Sequence, residues 1–336
     1  MNRKSNIELL RIVAMIFVLI LHANSLSNGL PNIEDVISNP VASFTRLTVQ
    51  TFTNVAVNVF VLISGWFGIK FSLNGITNIL FQCVFYSLLA LTLVGFFDPS
   101  SIQLSSIVKL LHIGGTYWFV PAYLGLMILS PILNNYVEHT SQTLQKNLLV
   151  AFFLFQFVYG WLFLDEAHFI NGYSCFSFVL LYLLARYLNR FGIIYLEKSA
   201  RFYLFSYLLL SLISSIIIFV SLYGNEVVAS IIKDKVLAYN NPLCIVSSVC
   251  FLMFFLRVDI GVNRYINWLA KSSFAIYLIH CNMLILPFYQ RWMNYLYISH
   301  DGVVVLVLIL FSILFIALCS MLVDKVRIVI WNRLIN

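Results

Sequence analysis

Apolar stretches of about twenty residues recur along the whole chain. A helix needs that length to cross the hydrocarbon layer of a bilayer. Ten such stretches predict ten spans, at 7–26, 53–69, 75–97, 116–135, 147–164, 173–190, 202–223, 241–256, 273–289 and 303–323. Composition supports this reading. Of 336 residues, 61% are hydrophobic and 10% charged, against roughly 45–50% and 25% in soluble domains. A water-soluble enzyme, a disordered chain and a collagenous one are thereby excluded. An outer-membrane barrel would alternate apolar and polar residues over about ten positions, and these runs are continuous. The expected fold is all-α and polytopic, one transmembrane domain over residues 1–336, in a bacterial-type inner (cytoplasmic) membrane whose lipids are its first partners.

The net charge of +7 does not point to nucleic acid, because the basic residues sit in short loops between apolar runs. There they report topology, since lysine and arginine stay cytoplasmic. One side holds Arg3, Lys4, Lys70, Lys146, Arg186, Arg190, Lys198, Arg201, Arg257, Arg264, Lys271, Lys325, Arg327 and Arg333. The other holds Arg46, Lys109, Lys233, Lys235 and Arg291. Both termini are therefore expected in the cytoplasm, and the connection 27–52 along the outer surface. The basic start and small residues of the first span resemble a signal peptide, but its length and embedded arginine argue against cleavage. Six cysteines (Cys83, Cys175, Cys244, Cys250, Cys281 and Cys319) are scattered through apolar segments without a C-x-x-C pair. They read as small buried hydrophobes. No zinc or calcium motif and no phosphate-binding glycine loop occurs, so no metal is expected.

An ionisable side chain inside a span costs roughly 2.5–3.5 kcal/mol on insertion scales and is read as functional by default. Arg11 and His22 share the first span. Eleven residues at about 100° each bring them to one face, roughly 16 Å apart along the axis. Arg11 offers a permanently charged planar fork for a phosphate, thioester or carboxylate. His22 can take a proton from a hydroxyl. The alternative is an Arg11 that snorkels, paired to Glu8, with His22 wet at the interface. No G-x-S-x-G turn exists, and Asp259 and Asp324 lie at span ends far from His22, so a Ser–His–Asp hydrolase is not supported.

The segment N-I-E-L-L-R-I-V-A-M-I-F-V-L-I-L-H (residues 6–22) resembles the opening of the acyltransferase-3 family of integral membrane acyltransferases, whose first helix carries an arginine, ten residues and a histidine. Three further segments agree in order: V-F-V-L-I-S-G-W-F (59–67), Y-W-F-V-P-A-Y-L-G-L-M-I-L-S-P-I-L (117–133) and S-S-F-A-I-Y-L-I-H (272–280). The resemblance implies transfer of an acyl group, usually acetyl from cytoplasmic acetyl-CoA as co-substrate, to a hydroxyl of a cell-surface or lipid-linked glycan. It makes His22 the base and Arg11 a holder of CoA or thioester. Some members carry a fused SGNH-type esterase domain, and none is expected here. Many members also have R-x-x-R near the third helix. This chain reads K-F-S-L-N-G-I-T-N-I-L-F-Q there, which leaves Lys70, Arg264 and Lys271 as candidate clamps for CoA phosphates.

Other positions keep two readings. Tyr117 and Trp118 form either an acceptor wall that stacks a sugar or an interfacial aromatic belt. His280 lines the acyl channel or makes a buried structural hydrogen bond. Ser64, with Gly65, serves close helix packing or contact with CoA. Asn54 and Asn58 face the first span near His22 or hydrogen-bond between helices. His112, His139, His168 and His300 fall in loops. A succinyl donor or a cytoplasmic acceptor would remain within the family. A flippase of lipid-linked glycans is the rival class, and it would predict inverted repeats, of which no convincing pair is found.

Overall fold

The computed structural model describes residues 4–102, 110, 113–163, 165, 167–192, 197–300 and 302–335. Arg3, Lys109, His112 and Leu164, the last closing the expected fifth span, lie outside the described residues. Every regular element among the described residues is helical. Seven helical stretches have the length and apolarity to cross a membrane: Ser5–Leu26, Pro40–Phe67, Leu73–Phe97, Phe119–His139, Ala200–Ser221, Glu226–Arg257 and Gly302–Leu334. Side chains such as Phe96 (79% exposed) and Phe311 (66%) point out of these helices, as expected where lipid is the solvent.

Three of the ten expected spans are not among these seven. The fifth is a helix Gln142–Gln156 that loosens into a π-helical turn at Phe157–Leu162. The sixth, Cys175–Phe191, has 17 residues. The ninth is no continuous span: helices Arg264–Ala270, Phe274–His280 and Leu286–Ser299 replace it. The break has local causes. Asn282 turns its own side chain onto the Leu284 backbone N–H at 3.0 Å, and Pro287, which has no N–H, opens the next helix. Within the connection 27–52, helix Pro40–Thr53 leads almost directly into Ala56–Phe67.

Contacts divide the chain into two compact units, each built from segments distant in sequence. The first comprises Met1–Gly29, Ser72–Pro121 and Ile260–Asn336; the second comprises Leu30–Phe71 and Ala122–Asp259. In the first, Ala90, Val94, Leu110 and Leu284 form a buried apolar cluster. A buried ion pair lies in the same unit. Asp324 and Arg327 share a face of helix Gly302–Ile335 at i,i+3 spacing. Arg327 donates from Nε (2.8 Å) and Nη2 (2.9 Å) to the two Asp324 oxygens. Its Nη1 reaches Asn78 Oδ1 at 3.2 Å, and the Tyr86 hydroxyl donates to Asp324 at 2.6 Å. Each oxygen of the carboxylate thus has a donor, the condition for keeping charge out of water.

The second unit is held by small residues and interhelix amide bonds. A Cβ on Gly65 would stand 2.6 Å from the Tyr182 carbonyl oxygen, so helices Ala56–Phe67 and Cys175–Phe191 meet backbone to backbone there. Asn54 and Asn58 donate to the carbonyls of Leu237 (2.9 Å) and Tyr239 (2.8 Å). Asn54 thus bonds from helix to helix and Asn58 to the turn after helix Glu226–Leu237, while the buried Asn58 Oδ1 has no partner among the described residues.

Candidate active site

The first helix, Ser5–Leu21, changes character at His22. Residues 22–28 read H-A-N-S-L-S-N, and their polar side chains compete for backbone acceptors. Ser25 Oγ donates to the Leu21 carbonyl at 2.7 Å, Ser27 N and Oγ both to His22 O at 3.1 Å, and Asn28 Nδ2 to Ala23 O at 2.9 Å. The i→i+5 pattern widens the helix into a π turn over His22–Leu26, a distortion that recurs at functional sites. His22 begins that turn and is partly exposed. Helix Leu286–Ser299 braces it: Tyr289 Oη donates to Leu19 O at 2.7 Å, Gln290 Nε2 to Leu26 O at 3.2 Å, and Asn294 Nδ2 to Ser27 O at 3.2 Å.

His280 ends the helix Phe274–His280 and is buried. Its Nε2 lies 3.0 Å from Nδ1 of His22. Its Nδ1 meets the Ile276 carbonyl. A carbonyl only accepts, so His280 carries its hydrogen on Nδ1 and, as neutral imidazole, presents Nε2 as a lone pair. Nδ1 of His22 is then the donor of the pair, and neutral His22 keeps its lone pair on Nε2. The two rings, with centroids 5.1 Å apart, thus form a directed chain from a fixed carbonyl to an imidazole nitrogen that has no partner among the described residues.

The Cys281 sulfur completes the cluster, 3.5 Å from His22 Nδ1 and 3.2 Å from His280 Nε2. Sequence reading had grouped this cysteine with the small buried hydrophobes; burial is correct, but its neighbours are polar. The only signal available was its position directly after a mid-span histidine.

Tyr117 requires a correction. It is fully buried, donates its hydroxyl to Leu278 O at 2.8 Å and accepts from Asn282 Nδ2 at 2.8 Å. With no exposed face it cannot stack a sugar, and it fastens the broken segment 278–282 behind His280. Trp118 is half-buried with its ring against Phe119 at 5.9 Å. Arg11 is paired: its Nη1 donates to Glu8 Oε1 at 2.9 Å, with the Arg11 side chain 31% exposed and that of Glu8 5%. The helix is unbroken from Ser5 to Leu21, which keeps Arg11 and His22 near one azimuth.

Of the clamp candidates, Lys271 and Arg264 are exposed in the first unit and Lys70 is exposed in the second. Arg264 donates to the Tyr265 hydroxyl at 2.8 Å. Ser64 Oγ donates to Phe60 O at 2.9 Å and contacts Tyr123 Oη at 3.0 Å within the second unit.

No curated protein and no solved structure matches the chain. A family does. The model described as an acyltransferase domain matches residues 4–323, which include Arg11, His22, His280 and Cys281, and the chain therefore belongs to the acyltransferase-3 family and is a membrane acyltransferase.

Proposed function

We propose that the protein transfers an acyl group, acetyl above all, from acyl-CoA supplied on the cytoplasmic side to a hydroxyl of a cell-surface or lipid-linked glycan. The observation that carries this reading is the chain Ile276 carbonyl–His280–His22, which leaves His22 Nε2 as a free base. His22 Nε2 takes the hydroxyl proton as the glycan oxygen attacks the thioester carbonyl. The carbon–sulfur bond then breaks, and the departing CoA thiolate recovers the proton. His280 accepts the Nδ1–H of the transient imidazolium and holds the ring in one orientation. Arg11, oriented by Glu8, attracts the negative groups of the donor. Exclusion of bulk water once donor and acceptor fill the site would suppress hydrolysis of the thioester.

Mass spectrometry of surface glycan from cells with and without the protein tests the reaction. A gain of one acyl group per modified sugar supports it. Unchanged acylation together with loss of the polymer from the surface would replace it with transport.

His280 acts through His22 and is a positioning residue. His280→Phe, which cannot accept the Nδ1–H, should lower kcat about 100-fold, as misplacement of a reacting group does, with little change in KM for acyl-CoA. His280→Gln offers a carbonyl oxygen to the same N–H and should recover part of the loss. Steady-state kinetics on purified protein separates the two outcomes, and equal activity in both variants contradicts the role.

A further inference from the structure

The cluster His22 Nδ1, His280 Nε2 and Cys281 Sγ is more compact than acid–base chemistry needs. Three donors from two separate stretches of chain approach within 3.0, 3.2 and 3.5 Å of one another. A tetrahedral zinc ion, with bonds of about 2.0–2.1 Å to nitrogen and 2.3 Å to sulfur, separates its ligand atoms by roughly 3.3 Å (nitrogen to nitrogen) and 3.6 Å (nitrogen to sulfur). An ion would therefore seat with each donor moving by a few tenths of an ångström. Two nitrogens and one sulfur suit a borderline-soft divalent ion rather than magnesium or calcium, which take oxygen. The outer contact fits as well. Metal-bound histidines commonly donate the other ring N–H to a carbonyl, which His280 does at Ile276. His22 is only partly buried, so a fourth position opens to water.

We propose that His22, His280 and Cys281 form a three-ligand site for Zn²⁺, with water as the fourth ligand. On binding, His280 already presents its lone pair and keeps its tautomer. His22 moves its hydrogen from Nδ1 to Nε2, and Cys281 releases its thiol proton to solvent and binds as thiolate. No electron transfer is involved. His22 Nε2 then carries a hydrogen and no lone pair, so His22 cannot remove a proton from an acceptor while the ion is bound. Zinc is accordingly an inhibitor of the transferase. This consequence rests on the acyl-transfer reading above, whereas the metal site does not.

The test uses full-length protein in detergent micelles, stripped with chelator and titrated with Co²⁺ as the spectroscopic probe. One equivalent should give the strong visible bands of tetrahedral cobalt and a thiolate-to-cobalt band in the near ultraviolet, both removed by Zn²⁺. Cys281→Ser should lose the near-ultraviolet band. His280→Gln should bind cobalt more than about 100-fold more weakly, beyond the roughly 10–100-fold that follows loss of an outer-shell partner. Size-exclusion profiles of both variants confirm that they remain folded. Absence of a thiolate band in the unmodified protein, or its persistence in Cys281→Ser, overturns the site. Acyl transfer is measured on the same preparation. A protein that transfers before cobalt is added but stays silent with cobalt refutes the metal site alone, and one that binds cobalt through Cys281 but transfers nothing even in its stripped form refutes the acyl-transfer reading alone.

Discussion

His22→Ala abolishes detectable acyl transfer and leaves the protein in the membrane at normal abundance. Loss of a general base costs on the order of 10²–10⁴ in rate, enough to push activity below the background of most glycan assays. The geometry gives no substitute. His280, the nearest imidazole, is buried and has its Nδ1 committed to the Ile276 carbonyl. Its Nε2 would face the space left by the His22 ring, not the exposed position that His22 occupies. The fold should tolerate the change because His22 is partly exposed at the start of a π turn. That turn is held by main-chain and serine contacts that alanine leaves in place. Labelled acetyl-CoA with membranes from matched cells provides the measurement, with immunoblotting as the control. Normal glycan acylation by His22→Ala removes the base from this residue.

The second large effect concerns stability. Asp324→Ala leaves Arg327, a buried guanidinium, with Asn78 as its only remaining side-chain acceptor among those described. Removing one partner of a buried pair typically costs 3–5 kcal/mol, because an uncompensated charge remains. Arg327→Ala strands the Asp324 carboxylate in the same way, with the Tyr86 hydroxyl its one remaining hydrogen-bond donor among the described residues. The double change Asp324→Leu with Arg327→Met removes both charges and should be far milder than either single one, since apolar replacements of buried pairs are often neutral or stabilising. Thermal unfolding in detergent reads all three. A double variant as unstable as the single ones contradicts the ion-pair account.

Much of the fold was legible because lipid imposes one strong rule: each spanning backbone must satisfy its own hydrogen bonds, so apolar length reports helices. Seven of the ten expected spans fall on helices long and apolar enough to cross. The ninth failed because hydropathy cannot see that Asn282 turns its side chain onto its own backbone within an apolar run. Within the connection 27–52, Asn39 caps and Pro40 starts a helix that runs to Thr53, a start that length and polarity alone do not reveal. At the site, the arginine–histidine spacing located His22 because a titratable group in lipid stands out in one dimension. The partners of His22 did not stand out. His280 and Cys281 are 258 and 259 residues away, and no periodicity within one helix links positions so far apart. Tyr117 was assigned to a surface that it does not reach, since its depth along the membrane says nothing about which way its ring turns.

The pairing of His22 with His280 has a consequence for biogenesis. At about 5–20 residues per second of synthesis, the ribosome needs roughly 13–50 s to make the intervening 258 residues. Throughout that interval the nascent first helix sits at the insertion machinery with an imidazole that lacks its eventual partner. Truncated chains stalled before residue 280 should therefore expose His22 to diethyl pyrocarbonate, and release of about the last sixth of the polypeptide should close that window.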